Sequence, residues 1–170
     1  FANDHLIDLA SDNETYVKDS IKNIERTIKV AKEIGKYFPN QKQPIFILNV
    51  GGWNTGGFVS KTERQVLYGR TQRNLAKIDF SDVRLAIQTM PPFPWHFGGQ
   101  SHHNLFVRPN EIVSFCRETG HELCLDVSHS MMSCNYLGIA LEDFIHKVAP
   151  FIAYLHIVDA DGCDGEGVQI

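Results

Sequence analysis

Polar side chains stand where four strand-like, apolar segments of the sequence end. They are Asn49, Gln88, Asp126 with His129 shortly after it, and His156 with Asp159. If these segments are parallel strands of one barrel, their carboxyl ends meet at one mouth and these side chains converge there. A carboxylate together with two imidazoles suits a divalent cation such as Zn²⁺, Mn²⁺ or Co²⁺. The pattern therefore predicts a metal or ligand site at the strand ends, although each residue alone could have a structural role.

Gln88 differs from the others because it ends the apolar run RLAIQ with a neutral amide. Its carbonyl oxygen can bind a cation or a sugar hydroxyl. An amide does not titrate in the useful range, so Gln88 cannot be the base of a proton transfer. Gln88 is therefore the residue on which a catalytic interpretation depends most.

Aromatic residues follow two of the strand ends. Phe93, Trp95 and Phe97 lie in the loop PPFPWHFGG, and Trp53 lies in the glycine-rich stretch GGWNTGG. Aromatic faces pack against the apolar C–H side of sugars, which makes these residues candidate substrate contacts. Packing of the loop on the rim of the fold or on a partner explains them equally well.

Hydrophobic periodicity divides the chain into short strands and amphipathic helices. Strands are predicted at His5–Ala10, Pro44–Val50, Arg84–Met90, Glu122–Val127 and Ile152–Val158. Helices are predicted at about Glu14–Tyr37, Thr62–Lys77, Pro109–Gly120 and Leu141–Val148. Ser11 with Glu14, and Ser60 with Glu63, form capping-box patterns, while a proline opens the third helix and a glycine closes it.

The alternation of strands and helices predicts an α/β fold with a parallel sheet. The strands are continuous apolar runs, as expected when helices cover both faces of the sheet. An open doubly wound sheet would favour a GxGxxG turn, which the sequence lacks. We therefore predict a (β/α)8 TIM barrel. Since a full barrel needs about 250 residues, we expect this chain to hold about five of the eight units, as one domain (1–170) that is a segment of a longer polypeptide.

The amino-acid composition argues against several classes of function. The net charge of −4 argues against a basic nucleic-acid-binding face, and no apolar run approaches the roughly 20 residues of a membrane-spanning helix. The four cysteines have no CxxC spacing, which predicts reduced thiols and a cytoplasmic protein. The expected ligand is a small sugar or sugar phosphate, and the expected partners are other domains of the longer chain or further copies of it.

Several segments resemble the xylose isomerase-like TIM-barrel superfamily. They are LCLDVSHS (123–130), YLHIVDADGCDGEG (154–167) and LAIQTMP (85–91), and HLIDLAS (5–11) and IFILNVGG (45–52) match earlier strands of that fold. The superfamily includes sugar and sugar-phosphate isomerases and epimerases, and nucleases of the endonuclease IV type. The resemblance covers nearly the whole chain, and the Asp-x-x-His and His-x-x-Asp-Ala pairs are its most specific part.

The resemblance implies a role for each mouth residue. Asp126 and His156 would bind a divalent metal (Mn, Co or Zn), and His129 would contact the substrate in the isomerases or the metal in the nucleases. Asp159 and Glu166 lie where the family contacts substrate or supports the metal. We expect His129, Gln88 and Asp159 to serve catalysis. We expect the remaining candidates to bind substrate: Asn49, Trp53, Phe93, Trp95 and Glu166.

The chain also departs from the family pattern. At Gln88 the family usually has a metal-binding Glu that helps to move the proton, and at Asn49 and near Ala2 the nucleases have metal-binding His residues. These departures make the nuclease interpretation a minor one. Two hypotheses remain: a metal-dependent sugar or sugar-phosphate isomerase or epimerase, and a catalytically impaired carbohydrate-binding or interaction domain. The second would be attached to a sugar-pathway enzyme, such as a synthase of the sialic-acid type.

Overall fold

The structure is a computed structural model that describes residues 5–38, 40, 43–96 and 99–168, with the side chains of 166–168 left out. The strands are β1 (Ile45–Leu48), β2 (Trp53–Asn54), β3 (Arg84–Gln88), β4 (Trp95–His96), β5 (Gly99–Gln100), β6 (His102–His103), β7 (Glu122–Asp126), β8 (Ile152–His156), β9 (Asp159–Asp161) and β10 (Gly165–Val168). The helices are α1 (Glu14–Gly35), α2 (Lys61–Leu75), α3 (Pro109–Thr119), α4 (Val127–Leu137) and α5 (Leu141–Val148), with a 3-10 turn at Ala149–Phe151.

Four of the strands form one parallel sheet in the order β1-β3-β7-β8. Strands β3 and β7 are largely buried, as the continuous apolar runs predict; Ile87 and Leu123, for example, are fully buried. Strand β8 lies at the edge of the sheet and is more exposed, with Leu155 48% exposed. The register places Asp126 opposite His156 on β7 and β8, and Gln88 opposite Cys124 on β3 and β7. The register therefore brings the ends of three neighbouring strands to the same edge of the sheet.

The predicted strand at His5–Ala10 is wrong. Residues 5–8 are irregular and residues 9–10 form a bend, although the Leu9 N–H donates to the Val50 carbonyl at 2.8 Å. The Asp8 carboxylate accepts hydrogen bonds from the backbone N–H groups of Ala10 and Gly52. A side chain that captures backbone donors in this way competes with a strand ladder.

All four predicted helices agree with the structure within two residues, and capping signals explain several of their ends. Ser60 and Glu63 form the predicted capping box at the start of α2. Gly120 ends α3 in the left-handed conformation with a φ of 73°. The predicted cap of α1 at Ser11 is wrong. The side chain of Asn13 instead accepts hydrogen bonds from the backbone N–H groups of Thr15 and Tyr16.

Helix α4 was not predicted at all, and it alters the predicted strand–helix order. Its sequence, VSHSMMSCNYL, has no apolar stripe, because several of its buried positions are serines. Ser133 donates to the Met90 carbonyl at 2.9 Å, and Ser130 shares a hydrogen bond with Thr89 at 3.2 Å. These bonds satisfy the buried hydroxyl groups and let a polar helix pack against the sheet.

The cysteines are free, and three of them are buried: Cys116, Cys124 and Cys134. Burial raises the pKa of Cys116 to about 12, so that this thiol is unreactive at neutral pH. Within the described residues, no helix is long and apolar enough to cross a membrane.

The turn after β1 requires glycine, and we expect Gly52→Ala to destabilise the fold. Gly52 has a φ of 88°, and a Cβ there would lie 2.6 Å from Leu105 Cγ. Strain plus this collision should lower the free energy of unfolding of the full-length protein by about 2–4 kcal/mol, measured by urea denaturation. Gly57→Ala is the control because Gly57 has a φ of 120° and open space around it. Equal losses in the two variants would contradict the role of the collision.

Candidate functional site

Three predicted residues meet at the carboxyl ends of β3, β7 and β8. The Gln88 Nε2 group donates to Asp126 Oδ2 at 2.9 Å and lies 3.2 Å from His156 Nδ1. The same Asp126 oxygen is 3.3 Å from His156 Nδ1. We call Gln88, Asp126 and His156 the strand-end cluster. The backbone register makes this meeting possible, because Asp126 and His156 are paired residues of adjacent strands.

Asp126 is the centre of this cluster and is 5% exposed. Its Oδ1 atom accepts from the Ser128 hydroxyl at 2.8 Å and from the His129 N–H at 3.1 Å, and so caps α4. Burial acts to raise the pKa of Asp126, but the His129 imidazole and the hydrogen bonds from His129, Ser128 and Gln88 together hold it below its ordinary value. The carboxylate is therefore ionised at neutral pH and surrounded by donors.

His129 lies beside the cluster in the first turn of α4 and is buried. Its Nδ1 is 2.8 Å from the Thr89 carbonyl oxygen. Because a carbonyl oxygen only accepts, Nδ1 carries the proton and Nε2 is the basic nitrogen of the ring. The ring is also close to the cluster, since Nδ1 is 3.6 Å from Asp126 Oδ2.

A cavity of about 780 Å³ opens next to the cluster. Asn49, Trp53 and Gln88 line it, so it joins three of the predicted site residues. Asn49 Oδ1 accepts from the Gly51 N–H at 3.0 Å, which shapes the turn that carries Trp53. The opposite wall comes from α1 and from residues 5–7. The volume is that of a small-molecule site.

His96 also lines the cavity, although the strand-end pattern does not predict it. It lies on β4, and its ring centroid is 5.2 Å from that of Trp53, at an angle of 59°. Burial lowers its pKa, which keeps the imidazole neutral at pH 7. The signal that could have found it is an imidazole among the aromatic residues of the loop after β3.

Other predicted residues do not line the cavity. Phe93 packs against Phe58 at a centroid distance of 5.3 Å, and Trp95 is 67% exposed; neither lines the cavity. Asp159 is exposed on β9, where its Oδ1 accepts from the Ala160 N–H. The predictions for the Glu166 side chain and for Phe97 fall outside the described residues.

His103, near the site, should make stability depend on pH. Its pKa is lowered to about 3, chiefly by burial and to a lesser extent by the nearby His96 and His129, against the hydrogen bond to the Leu105 carbonyl. The unfolded chain binds this proton near pH 6.5, so stability that is fully present above that pH is lost as the pH falls toward 3. We expect the free energy of unfolding to be about 2 kcal/mol lower at pH 5 than at pH 7 on this account.

The measurement is urea denaturation of the full-length protein and of His103→Gln at both pH values. The variant has no imidazole at this position. Its free energy of unfolding should therefore fall between pH 7 and pH 5 by about 2 kcal/mol less than that of the parent protein. An identical loss in both proteins would show that His103 does not bind its proton in the way its burial implies.

A metal site made only of ionisable side chains does not form in the described part of the chain. No three His, Cys, Asp or Glu side chains there come together in a way that could hold a metal ion. The strand-end cluster instead offers one carboxylate, one imidazole and one amide. A Glu at position 88, which the resemblance leads us to expect, would have supplied a second carboxylate.

The described geometry agrees with several solved structures. A "D-tagatose 3-epimerase-like protein" superposes with a TM-score of 0.70 at 17% identity, covering 100% of this chain and 58% of that one. D-allulose 3-epimerase from Methylomonas sp. matches with a TM-score of 0.61 at 13% identity, covering 89% and 48%. L-ribulose 3-epimerase matches with a TM-score of 0.60 at 16% identity, covering 89% and 46%. The chain thus spans about half the length of these barrels, and their likeness confirms the predicted TIM-barrel fold.

A search of curated proteins found no match to the sequence. The family model described as "Xylose isomerase-like TIM barrel" matches residues 1–169, nearly the whole chain. The match confirms the resemblance drawn from the strand-end motifs. The chain belongs to the xylose isomerase-like TIM-barrel family.

Proposed function

We propose that this chain supplies part of the mouth of a barrel that isomerises or epimerises a sugar or sugar phosphate with the help of a divalent cation. The observation that carries the proposal is the meeting of Gln88, Asp126 and His156 within 3.3 Å at adjacent strand ends. The cavity beside them, with Asn49 and Trp53 in its wall, supports the choice of a sugar-sized ligand. One structural neighbour is described in complex with D-allulose, which agrees with this class.

The spacing of the cluster fits a cation. Gln88 Nε2, Asp126 Oδ2 and His156 Nδ1 lie 2.9, 3.2 and 3.3 Å from one another, which is close to the separation of roughly 3 Å that side chains sharing one cation would have. Asp126 Oδ2 and His156 Nδ1 are suitable ligands as they stand. Gln88 presents its amide nitrogen, and rotation of the amide would present Oε1 instead.

The residues around the cation position have separate tasks in this proposal. When bound, the cation would stabilise negative charge on substrate oxygens as a proton leaves the carbon beside a carbonyl. Trp53 would pack against the apolar side of the sugar, and Asn49 would hydrogen-bond a hydroxyl group. His129 would contact the substrate, with its ring oriented by the hydrogen bond between Nδ1 and the Thr89 carbonyl.

Proton transfer must come from a residue other than Gln88. Asp159 is the candidate among the predicted residues because it follows His156 at the same strand end and its carboxylate is exposed. An exposed carboxylate on the β9–β10 hairpin is able to exchange protons with solvent. Replacement of Asp159 by Asn should therefore lower kcat more than it weakens substrate binding.

A second function is favoured by the orientation of the Gln88 amide. Its Nε2 group donates to Asp126 and lies beside His156, so the cluster satisfies its own hydrogen bonds without a cation. Such a site could bind a carbohydrate without turning it over. The domain would then be a binding or interaction module of a larger sugar-pathway protein.

One experiment separates the two functions. The full-length protein is purified after growth with Mn²⁺, Co²⁺ or Zn²⁺, analysed for metal, and assayed by NMR for exchange of C–H protons of sugars and sugar phosphates in D2O. The isomerase proposal predicts bound metal and exchange that is lost in Gln88→Ala. Sugar binding without metal and without exchange would support the binding module instead.

A further inference from the structure

Asp8 is a carboxylate that belongs neither to the strand-end cluster nor to the described lining of the cavity. Its Oδ1 atom accepts hydrogen bonds from the Ala10 N–H at 2.9 Å and from the Gly52 N–H at 3.0 Å. Burial raises the pKa of Asp8 above its ordinary value, although the hydrogen bonds from Ala10, Gly52 and Ser11 act to lower it. The fold thus keeps a carboxylate where solvation is poor, and this carboxylate binds the backbone of a segment 44 residues away.

The position of Asp8 is itself fixed from two sides. Its backbone N–H donates to the Ser20 hydroxyl at 3.1 Å, and Ser20 is a fully buried residue of α1. The next residue, Leu9, donates its N–H to the Val50 carbonyl at 2.8 Å, just after β1. Asp8 is therefore held between α1 and the segment that follows β1, and its carboxylate is an acceptor in a fixed place.

The turn that Asp8 contacts consists of two glycines in the left-handed region, Gly51 with a φ of 90° and Gly52 with a φ of 88°. A Cβ on Gly51 would lie 2.5 Å from the Cα of Asp8, so the turn packs directly against this residue. On the other side of the turn, the Gly52 carbonyl accepts from the Asn104 N–H at 3.0 Å. The glycine turn is therefore held between Asp8 and the residue that follows β6.

Trp53 directly follows this turn, and its direction depends on it. Trp53 pairs with His103 in the two-residue ladder of β2 and β6, and its ring centroid lies 5.2 Å from that of His96. Both Trp53 and His96 line the cavity beside Gln88. Because a ladder of two residues is short for a strand pair, other contacts must hold the chain at this point. The hydrogen bond from the Gly52 N–H to Asp8 is such a contact, one residue before the indole.

We propose that Asp8 is a positioning residue of the candidate site: its hydrogen bond to the Gly52 N–H holds the turn after β1 and thereby keeps the Trp53 indole against His96 in the wall of the cavity. Side chains that contact a ligand are commonly held in place by hydrogen bonds from residues behind them. Asp8 does not line the cavity, so a ligand responds to a change at Asp8 only through Trp53. That the ligand is a sugar rests on the proposed function, whereas the orientation of Trp53 by Asp8 does not.

The test observes Trp53 directly, by fluorine NMR of the full-length protein labelled with 5-fluorotryptophan. The Trp53 resonance is identified by its loss in Trp53→Phe. In the parent protein, His96→Ala should shift this resonance, because it removes the ring that lies against the indole. Asp8→Ala should also shift it. Adding His96→Ala to Asp8→Ala should then cause less than about half of the shift seen in the parent, because the contact between the two rings is already lost.

Two further variants at position 8 test the hydrogen bond itself. Asp8→Asn keeps an Oδ1 atom that accepts from the same N–H groups, so it should leave the Trp53 resonance close to its position in the parent. Asp8→Leu removes the acceptor but has a similar size and places no charge where solvation is poor. It takes the place of Asp8→Ala if thermal melting shows that Asp8→Ala does not fold.

Asp79→Ala is the matched control. Asp79 also accepts a backbone hydrogen bond, from the Ser81 N–H at 2.9 Å, but it is exposed and binds its own loop. This variant should leave the Trp53 resonance and its response to His96→Ala unchanged. The proposal is overturned if the folded Asp8→Ala or Asp8→Leu variant keeps the resonance of the parent and its full response to His96→Ala. It is also overturned if Asp8→Asn perturbs the resonance as much as those variants do.

The effect on a ligand is measured by calorimetry with D-allulose, the sugar bound to one structural neighbour. We expect Asp8→Ala to weaken its binding about tenfold, and Asp8→Asn and Asp79→Ala to bind it within about threefold of the parent. Unchanged affinity in Asp8→Ala would contradict the positioning role.

The outcomes also separate this inference from the proposed function. If Trp53 moves in Asp8→Ala but the parent neither binds sugars nor exchanges their C–H protons, the positioning role stands and the proposed function fails. If the parent exchanges C–H protons of sugars while Asp8→Ala leaves Trp53 in place, the proposed function stands and the positioning role fails.

Discussion

Replacing Gln88 by Glu should raise the affinity of the full-length protein for Mn²⁺ on the order of 100-fold, measured by calorimetry. The substitution adds a negative charge at a position where Gln88 Nε2 is 2.9 Å from Asp126 Oδ2 and 3.2 Å from His156 Nδ1. Without metal, the new carboxylate would face the carboxylate of Asp126. We therefore expect metal-free Gln88→Glu to lose about 1–3 kcal/mol of unfolding free energy, and Mn²⁺ to restore it.

Gln100→Glu is the matched control for this prediction. Gln100 also donates an amide hydrogen bond to a carboxylate, Asp164 Oδ2 at 3.2 Å, but this pair is exposed and is not part of the cluster. The control should leave the affinity for Mn²⁺ unchanged. If Gln88→Glu and Gln100→Glu bind Mn²⁺ equally, the strand-end cluster is not the cation site.

Asp126→Ala should be among the most damaging single substitutions in this region. The carboxylate accepts hydrogen bonds from Ser128, His129 and Gln88 inside the protein, and it caps α4. Its removal deletes the cap and leaves buried donors without an acceptor. We expect a loss of about 3–5 kcal/mol in the free energy of unfolding, measured by urea denaturation, together with loss of cation binding.

Two comparisons isolate the causes. Asn13→Ala removes the exposed cap of α1 and should cost about 1 kcal/mol, the ordinary value for a helix cap. Asp126→Asn keeps an acceptor for the cap and should cost far less stability than Asp126→Ala, yet it should bind Mn²⁺ as poorly. If Asp126→Ala were no more destabilising than Asn13→Ala, the buried hydrogen bonds of Asp126 would have no structural importance.

The strand-end cluster was predictable because it depends on strand register, which the apolar runs reveal. A parallel sheet brings the residues after LAI, LCL and YL to one edge, and Gln88, Asp126 and His156 indeed lie there together. Capping patterns also carried reliable information where one side chain bonds its own helix, as Ser60 and Glu63 do.

Other features of the fold and of the site depend on contacts between distant segments, which hydrophobic periodicity does not predict. Helix α4 is buried through hydroxyl groups that bond Thr89 and Met90 rather than through an apolar stripe. His96 reaches the cavity because its hairpin packs on Trp53. Phe93 joins Phe58 and Tyr136 in an aromatic group whose members come from three separate segments.

The central claim is that Asp126 and His156 hold a divalent cation at the mouth of a sugar-binding barrel. The most direct measurement is anomalous X-ray diffraction from crystals of the full-length protein grown with MnCl₂ and a sugar phosphate. The account predicts an anomalous peak within about 2.5 Å of Asp126 Oδ2 and His156 Nδ1, with the sugar in the adjacent cavity. A sugar phosphate bound in the cavity with no anomalous peak at these two atoms would contradict it.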